Sequence, residues 1–185
     1  MSLSIKLVNI RIISMRLSKK SEYGLRALIE LTENYGTAVL RRSELAKNQR
    51  IPVGFLEGIL LTLKHAGIVS SRRGVDGGFQ LRQAPETISL GQVIRLLDGP
   101  LAPIGCVSQT AFQKCEDCPY VEKPVCPIQQ VMGDVRNAIA GILDHYSLAD
   151  FTRTIQSSRS GEKKTSREGI RKALLGKTKK LSTGG

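Results

Sequence analysis

The sequence predicts a mainly α fold with a small β-wing, a winged domain followed by one long further helix. Three observations lead there. Between Ser18 and Leu63, apolar residues recur at spacings of three and four, the pattern of helices with one buried face. In IVSSRRGVDGGFQL a glycine-rich turn joins two short apolar runs, as a hairpin requires. Finally, PIQQVMGDVRNAIAGILDHY keeps an apolar stripe wider than one small domain could cover.

The elements follow in order. Ser18 caps a helix through SKKSEYGLRALIELTENYG, in which Tyr23, Ala27, Leu28 and Leu31 form the stripe and Gly36 the stop. After a short apolar AVL, RRSELAKNQRI holds two turns at most, with Leu45 and Ala46 inward. Pro52 suits the first position of a third helix, because its missing N–H would go unbonded there, whereas Ile51 is a poor cap. Leu56, Ile59, Leu60 and Leu63 give that helix its buried stripe, and Gly67 ends it. The hairpin comes next, and ISLGQVIRLLDG reads as a fourth helix packed on the wing. Helix, short helix, helix, hairpin is the order of a winged helix-turn-helix, whose third helix enters the DNA major groove while the hairpin lies against backbone or minor groove. A generic small α+β core is the alternative.

In the long helix, Ile128, Val131, Val135, Ala138 and Ile142 alternate spacings of three and four, which is a coiled-coil seam, and Met132, Ile139, Leu143 and Tyr146 widen it. Self-association through this seam would present two reading heads to a palindromic site, the alternative being a core helix packed within one chain. Ser147 with Asp150 forms a capping box for a last short helix, LADFTRTI. The expected organisation is therefore an N-terminal extension over 1–14, a DNA-binding winged domain over 15–97, a cysteine-rich loop over 98–126, a dimerisation helix with a short terminal helix over 127–156, and a disordered basic tail over 157–185.

At 185 residues and 41% hydrophobic composition, the chain can bury one core. No apolar stretch approaches the roughly 20 residues of a membrane helix, and no signal-type block follows the start, so the expectation is a soluble cytoplasmic protein without a membrane partner. The net charge of +12 divides into +2 over 1–14, +6 over 15–82, −3 over 83–156 and +7 over 157–185. Basic blocks around an acidic middle point to a polyanion as partner, against the plainer reading of a solvated basic surface. Arg72 and Arg73 beside the glycine turn suit phosphate or minor-groove contact. GVDGG itself lacks the spacing of a phosphate-binding loop and opens no helix. No pairing of nucleophile and base points to an enzyme, and the two histidines, His65 and His145, stand far from the cysteines in sequence.

All four cysteines fall within one segment, as Cys106-x8-Cys115-x2-Cys118-x7-Cys126. Disulfides are disfavoured in a reducing compartment. Structural zinc usually takes two Cys-x2-Cys turns, and only Cys115 and Cys118 form one. An iron–sulfur cluster tolerates irregular spacing, and Cys126 precedes a helix start whose dipole favours a thiolate. Spacing leaves these possibilities open, together with redox-active thiols that hold no metal.

MRLSKKSEYGLRALIEL, GFLEGILLTLKHAGIVSSRRGVDGGFQL and the cysteine loop ahead of a long helix resemble the Rrf-two family, the IscR-like winged-helix transcription regulators, over about 15–155. The resemblance implies a homodimer that binds palindromic double-stranded promoter DNA and answers to iron–sulfur supply, iron, redox state or nitric oxide. It implies that three loop cysteines hold a 2Fe-2S or 4Fe-4S iron-sulfur cluster, with Cys106 matching the first, Cys126 the third, and either Cys115 or Cys118 the second. Some members place a histidine three residues after the third cysteine. Here that position is Gln129, and a fourth cysteine is available in its stead. Gly54, Phe55 and Glu57 match the start of the family's recognition helix, and Arg73 its wing arginine. Glu57 could accept from cytosine N4 or serve only as a surface charge. A zinc-stabilised RNA-binding or ribosome-associated protein with structural cysteines is the alternative from another functional class.

Overall fold

Ser18 opens the first helix, α1 (Lys19–Glu33), by accepting a hydrogen bond on its hydroxyl from the Ser21 N–H at 3.2 Å. Its own N–H and hydroxyl donate to the Asp98 carboxylate at the end of α4 (Leu90–Asp98), so one residue caps α1 and moors α4. This computed structural model describes residues 17–120 and 126–159. The extension expected over 1–14 lies outside the described residues, as does the expected basic tail from residue 160 onward.

The helix-turn-helix is α2 (Arg42–Gln49) and α3 (Val53–His65). The Glu44 carboxylate accepts from the Arg41 N–H at 3.0 Å at the start of α2, and Arg50 in a left-handed conformation, φ 50°, ends it. Pro52 was expected as the first residue of α3 and is instead its cap, extended at ψ 128°, with its carbonyl accepting from the Phe55 and Leu56 amides. The proline therefore pre-sets the entry into the helix from just outside it. Strands β1 (Val69–Arg72) and β2 (Gly78–Leu81) pair antiparallel, from Val69 opposite Leu81 to Arg72 opposite Gly78. Leu40, from the AVL stretch, adds a bridging residue on the outer edge of β2 by exchanging both backbone bonds with Phe79 at 2.8 and 2.9 Å. The close approach needs a glycine beside it: a Cβ on Gly78 would stand 2.4 Å from the Leu40 oxygen.

The core gathers Leu28 and Leu31 of α1, Leu45 of α2, Leu56, Ile59, Leu60 and Leu63 of α3, then Ile68, Ile88 and Leu148, all buried. Each such side chain contributes roughly 1.5–3 kcal/mol on leaving water. α1 is the hub, packed on α2, α3, α4 and α6. The fourth helix was expected on the wing, but it packs chiefly on α1, α5 and α3. The reason lies in Gly24 of α1, whose missing side chain leaves a notch filled by Leu97 of α4.

α5 (Pro127–His145) starts with Cys126 as its cap and buries none of its residues fully within the chain. α6 (Leu148–Arg159) is capped by the expected box, with the Ser147 N–H and hydroxyl donating to Asp150 at 2.8 and 2.6 Å. It runs past the expected LADFTRTI, so the segment from Ser157 to Arg159, expected to be disordered, is helical. Backbone bonds from Leu90 to Tyr146 and from Leu148 to Ile88 tie the α5–α6 junction to the start of α4.

Candidate nucleic-acid interface and cysteine loop

The buried stripe of α3 turns Leu56, Ile59, Leu60 and Leu63 into the core and leaves Gly54, Phe55, Glu57, Lys64 and His65 exposed. Nothing lies within 4 Å of where a Cβ would stand on Gly54 or Gly58, so this face is open to close approach by a large partner. Phe55 packs edge-on against Tyr23 of α1, ring centres 5.6 Å apart, and Lys19 and Arg26 sit at 5.7 and 5.6 Å from the same Tyr23 ring. Glu22 joins this cluster. A hydrogen bond from Lys19 holds its carboxyl below the usual range, against a small burial effect and with help from the Lys19 and Arg26 charges.

Glu57 is ion-paired: its Oε2 lies 2.6 Å from Nη1 of Arg42, the first residue of α2. Arg72 and Arg73 are exposed at the end of β1, beside Gly74 at φ 107°. The turn they enter is closed by the Gly77 N–H donating to the Gly74 carbonyl at 3.0 Å. Arg41 reaches this tip from α2 and donates from Nη2 to the Val75 carbonyl at 2.8 Å. Sequence reasoning selected Arg72 and Arg73 and passed over Arg41 and Arg42. The available signal was two arginines at a helix start, where the macrodipole disfavours cations.

The cysteine loop runs from the end of α4 through a short 3-10 turn, Gly105–Val107, to the first turn of α5. Its four thiols are all free. The Cys115 thiol is held above its usual pKa, chiefly by interaction with the Cys106 thiol and with burial adding to it. Among the described residues no three His, Cys, Asp or Glu side chains stand ready-made around a metal position. An all-sulfur donor set of this kind fits an iron–sulfur cluster or zinc in chemistry. Gln129, where a histidine was sought, donates from Nε2 to the Cys106 carbonyl at 3.1 Å and so pins the loop to α5. Neither histidine joins the thiols: His65 is exposed at the end of α3, and His145 ends α5 with its ring edge-on to Tyr146.

Side-chain contacts near its C-terminal end add to the backbone bonds that join α5 to the winged part. Arg95 of α4 grips Asp144 of α5 through a fork at 2.6 and 2.8 Å, which holds the Asp144 carboxyl below its usual range, chiefly through the hydrogen bond and against some burial. Leu143 and Tyr146 pack on the core. At the other end of α5, Ile128 and Val131 are 59% and 58% exposed and form the bare part of the predicted seam. No helix among the described residues is long and apolar enough to cross a membrane.

With this geometry in hand, comparison with known proteins gives a consistent family. Rrf2, the Rrf-two family, described as iron-dependent transcriptional regulator, matches residues 17–154. A putative HTH-type transcriptional regulator rrf2-like of Rhodobacter capsulatus is 36% identical over 138 residues, covering 73% of this chain and 91% of that one. Among solved structures, CymR, the global cysteine regulator of B. subtilis, superposes with TM-score 0.61 at 28% identity over 75% of this chain and 97% of that chain. IscR of T. potens superposes with TM-score 0.61 at 25% identity over 77% and 90%. The mostly helical fold with its two-stranded wing and the match over nearly all the described residues together establish that this chain belongs to the Rrf2 family of winged-helix transcriptional regulators.

Proposed function

We propose that the chain is a homodimeric, DNA-binding transcription regulator in which a cysteine-held iron–sulfur cluster adjusts how two winged heads sit on a palindromic promoter. The observation that carries this reading is the placement of four free thiols in the one loop that leads into the cap of the helix whose apolar seam is left bare. In this reading residues 15–97 form the head, 98–126 the cluster loop, and 127–156 the dimerisation segment. Cys106 and Cys126 hold the cluster with Cys115, Cys118 or both. The Gln129 amide donates to a backbone carbonyl rather than pointing at the thiols, and where both Cys115 and Cys118 bind, the ligand set is four thiolates. When bound, the cluster supplies one-electron chemistry and exchangeable iron–thiolate bonds.

The chain's own residues transmit the state of the loop. α5 is 19 residues, about 28 Å at 1.5 Å per residue. Its first turn belongs to the loop through Cys126 and Gln129. Its last turns belong to the head through the Arg95–Asp144 fork and the Leu90–Tyr146 and Leu148–Ile88 backbone bonds. A displacement at the loop therefore acts on one end of a rigid lever whose other end carries α4. A coupling of about 1–3 kcal/mol is enough to change operator affinity about 5- to 150-fold. On the DNA, Gly54, Phe55 and Glu57 face base edges, while Arg72 and Arg73 neutralise phosphates.

The test is an anaerobic preparation examined by visible absorption, iron and sulfide analysis, and a promoter shift assay before and after metal removal. A brown protein whose operator affinity changes on metal removal supports the reading. A colourless protein with stoichiometric zinc and a preference for RNA favours the structural-cysteine alternative. Equal operator affinity with and without metal overturns the sensing role.

A further inference from the structure

We infer that Arg41 and Arg42 form a brace that positions the wing and the recognition helix relative to each other, and that Arg42 sets the base preference of Glu57 by holding its carboxylate. This rests on the proposed DNA-binding role. Both arginines stand at the start of α2, where the positive end of the helix repels cations, so neither is there to stabilise that helix. Each reaches out to a different DNA-facing element.

Arg41 crosses 34 positions of sequence to donate to the Val75 carbonyl, and Val75 is 86% exposed at the extreme of the wing. The tip otherwise has only its turn bond between Gly77 and Gly74, while the body of the wing is held by the register of four paired residues and by the Leu40–Phe79 bonds. The single Arg41 bond therefore ties the outer tip of the wing to the start of α2. Its neighbour Arg42 grips Glu57 Oε2 across the groove between α2 and α3. The two side chains remain 42% and 62% exposed, and an ion pair so exposed adds little to stability, so its consequence is orientation. A carboxylate alone on a surface facing phosphates is repelled from it. Paired with Arg42, Glu57 is neutralised, its Oε2 is fixed, and its Oε1 remains available to accept from an exocyclic base amine such as cytosine N4.

The experiment uses the full chain and duplex operators selected by it from a random-sequence library, with shift assays at several salt concentrations. Arg42→Ala is expected to reduce the preference for the selected operator over single base-pair changes at the same positions that Glu57→Gln affects, from about 5- to 150-fold toward parity. The double variant falls no further than Glu57→Gln, and Arg42→Lys restores part of the preference. Arg41→Ala is expected to speed amide exchange at Gly77, whose N–H closes the tip turn, and weaken binding on every sequence. Thermal melts establish that each variant is folded. Arg42→Ala lowering affinity equally on all sequences, additively with Glu57→Gln, would show a plain phosphate contact and overturn the positioning role. Unchanged exchange at the tip in Arg41→Ala overturns the wing half. If the unsubstituted chain selects no duplex at all, it is the DNA-binding reading that falls, and the brace falls with it.

Discussion

Glu30 offers the sharpest test of how α2 is held against α1. It is 7% exposed, and its two carboxylate oxygens accept from Asn48 Nδ2 at 2.6 Å and Gln49 Nε2 at 2.7 Å, both on the last turn of α2. Each hydrogen bond to a charged acceptor contributes about 1.5–3 kcal/mol. Asn48 is exposed and can turn to water, whereas Gln49 is half-buried and recovers less on losing its partner. Glu30→Ala should therefore destabilise the fold by about 2–4 kcal/mol, a large share of the 5–15 kcal/mol of an ordinary domain. Glu30→Gln should cost about half of that, because one amide oxygen still accepts while the new NH2 group faces a donor. Urea unfolding followed by circular dichroism reads the loss as a fall in midpoint of about 1–2 M at a slope near 2 kcal/mol/M. A midpoint unchanged within about 0.2 M for Glu30→Ala, or a Glu30→Leu variant more stable than the parent, would refute the clamp.

Three further outcomes are expected. Val131→Glu should leave the melting temperature of the isolated chain nearly unchanged, because the side chain is 58% exposed, yet dissociate the proposed dimer to monomer in sedimentation; a dimer that persists at micromolar concentration excludes the seam. Ser147→Ala removes the reciprocal cap with Asp150 and should cost about 1 kcal/mol, measured as a lower urea midpoint. Asp144 sits below its ordinary pKa because of the Arg95 fork, and Asp150 does too, because the upward push of burial is more than offset by the two Ser147 bonds together with the Arg153 and His145 charges. Both carboxylates therefore add stability above about pH 4 that disappears as the pH falls through their lowered folded-state values, and a melting series from pH 6 to 2 should show a fall that Asp144→Asn makes shallower.

Much of the candidate site is legible because it is local. The exposed face of α3 follows from the stripe Leu56, Ile59, Leu60 and Leu63, since a residue between two buried ones on a 3.6-residue turn has one place to point. The hairpin follows from its glycines, and the thiols share one loop because they lie within 21 residues of one another. Pro52 was misplaced by one position, since its fixed φ, −57° here, leads into the helix from the cap as it would from the first helical position. The fourth helix was set on the wing because periodicity gives the apolar face of ISLGQVIRLLDG without its destination, which the notch at Gly24 determines.

The sequence by itself determined the caps at Ser18 and Ser147, the helix faces, the winged order and the gathering of sulfur, because backbone sterics and spacings of three and four act within a few residues. Tertiary structure alone decided that Glu57 is held by Arg42, that Arg41 steadies a wing tip 34 positions away, and that Arg95 finds Asp144 across 49. It also decided that Leu143 rather than Val131 meets the head. Those pairings depend on where whole helices come to rest, and that is settled by the joint packing of one core.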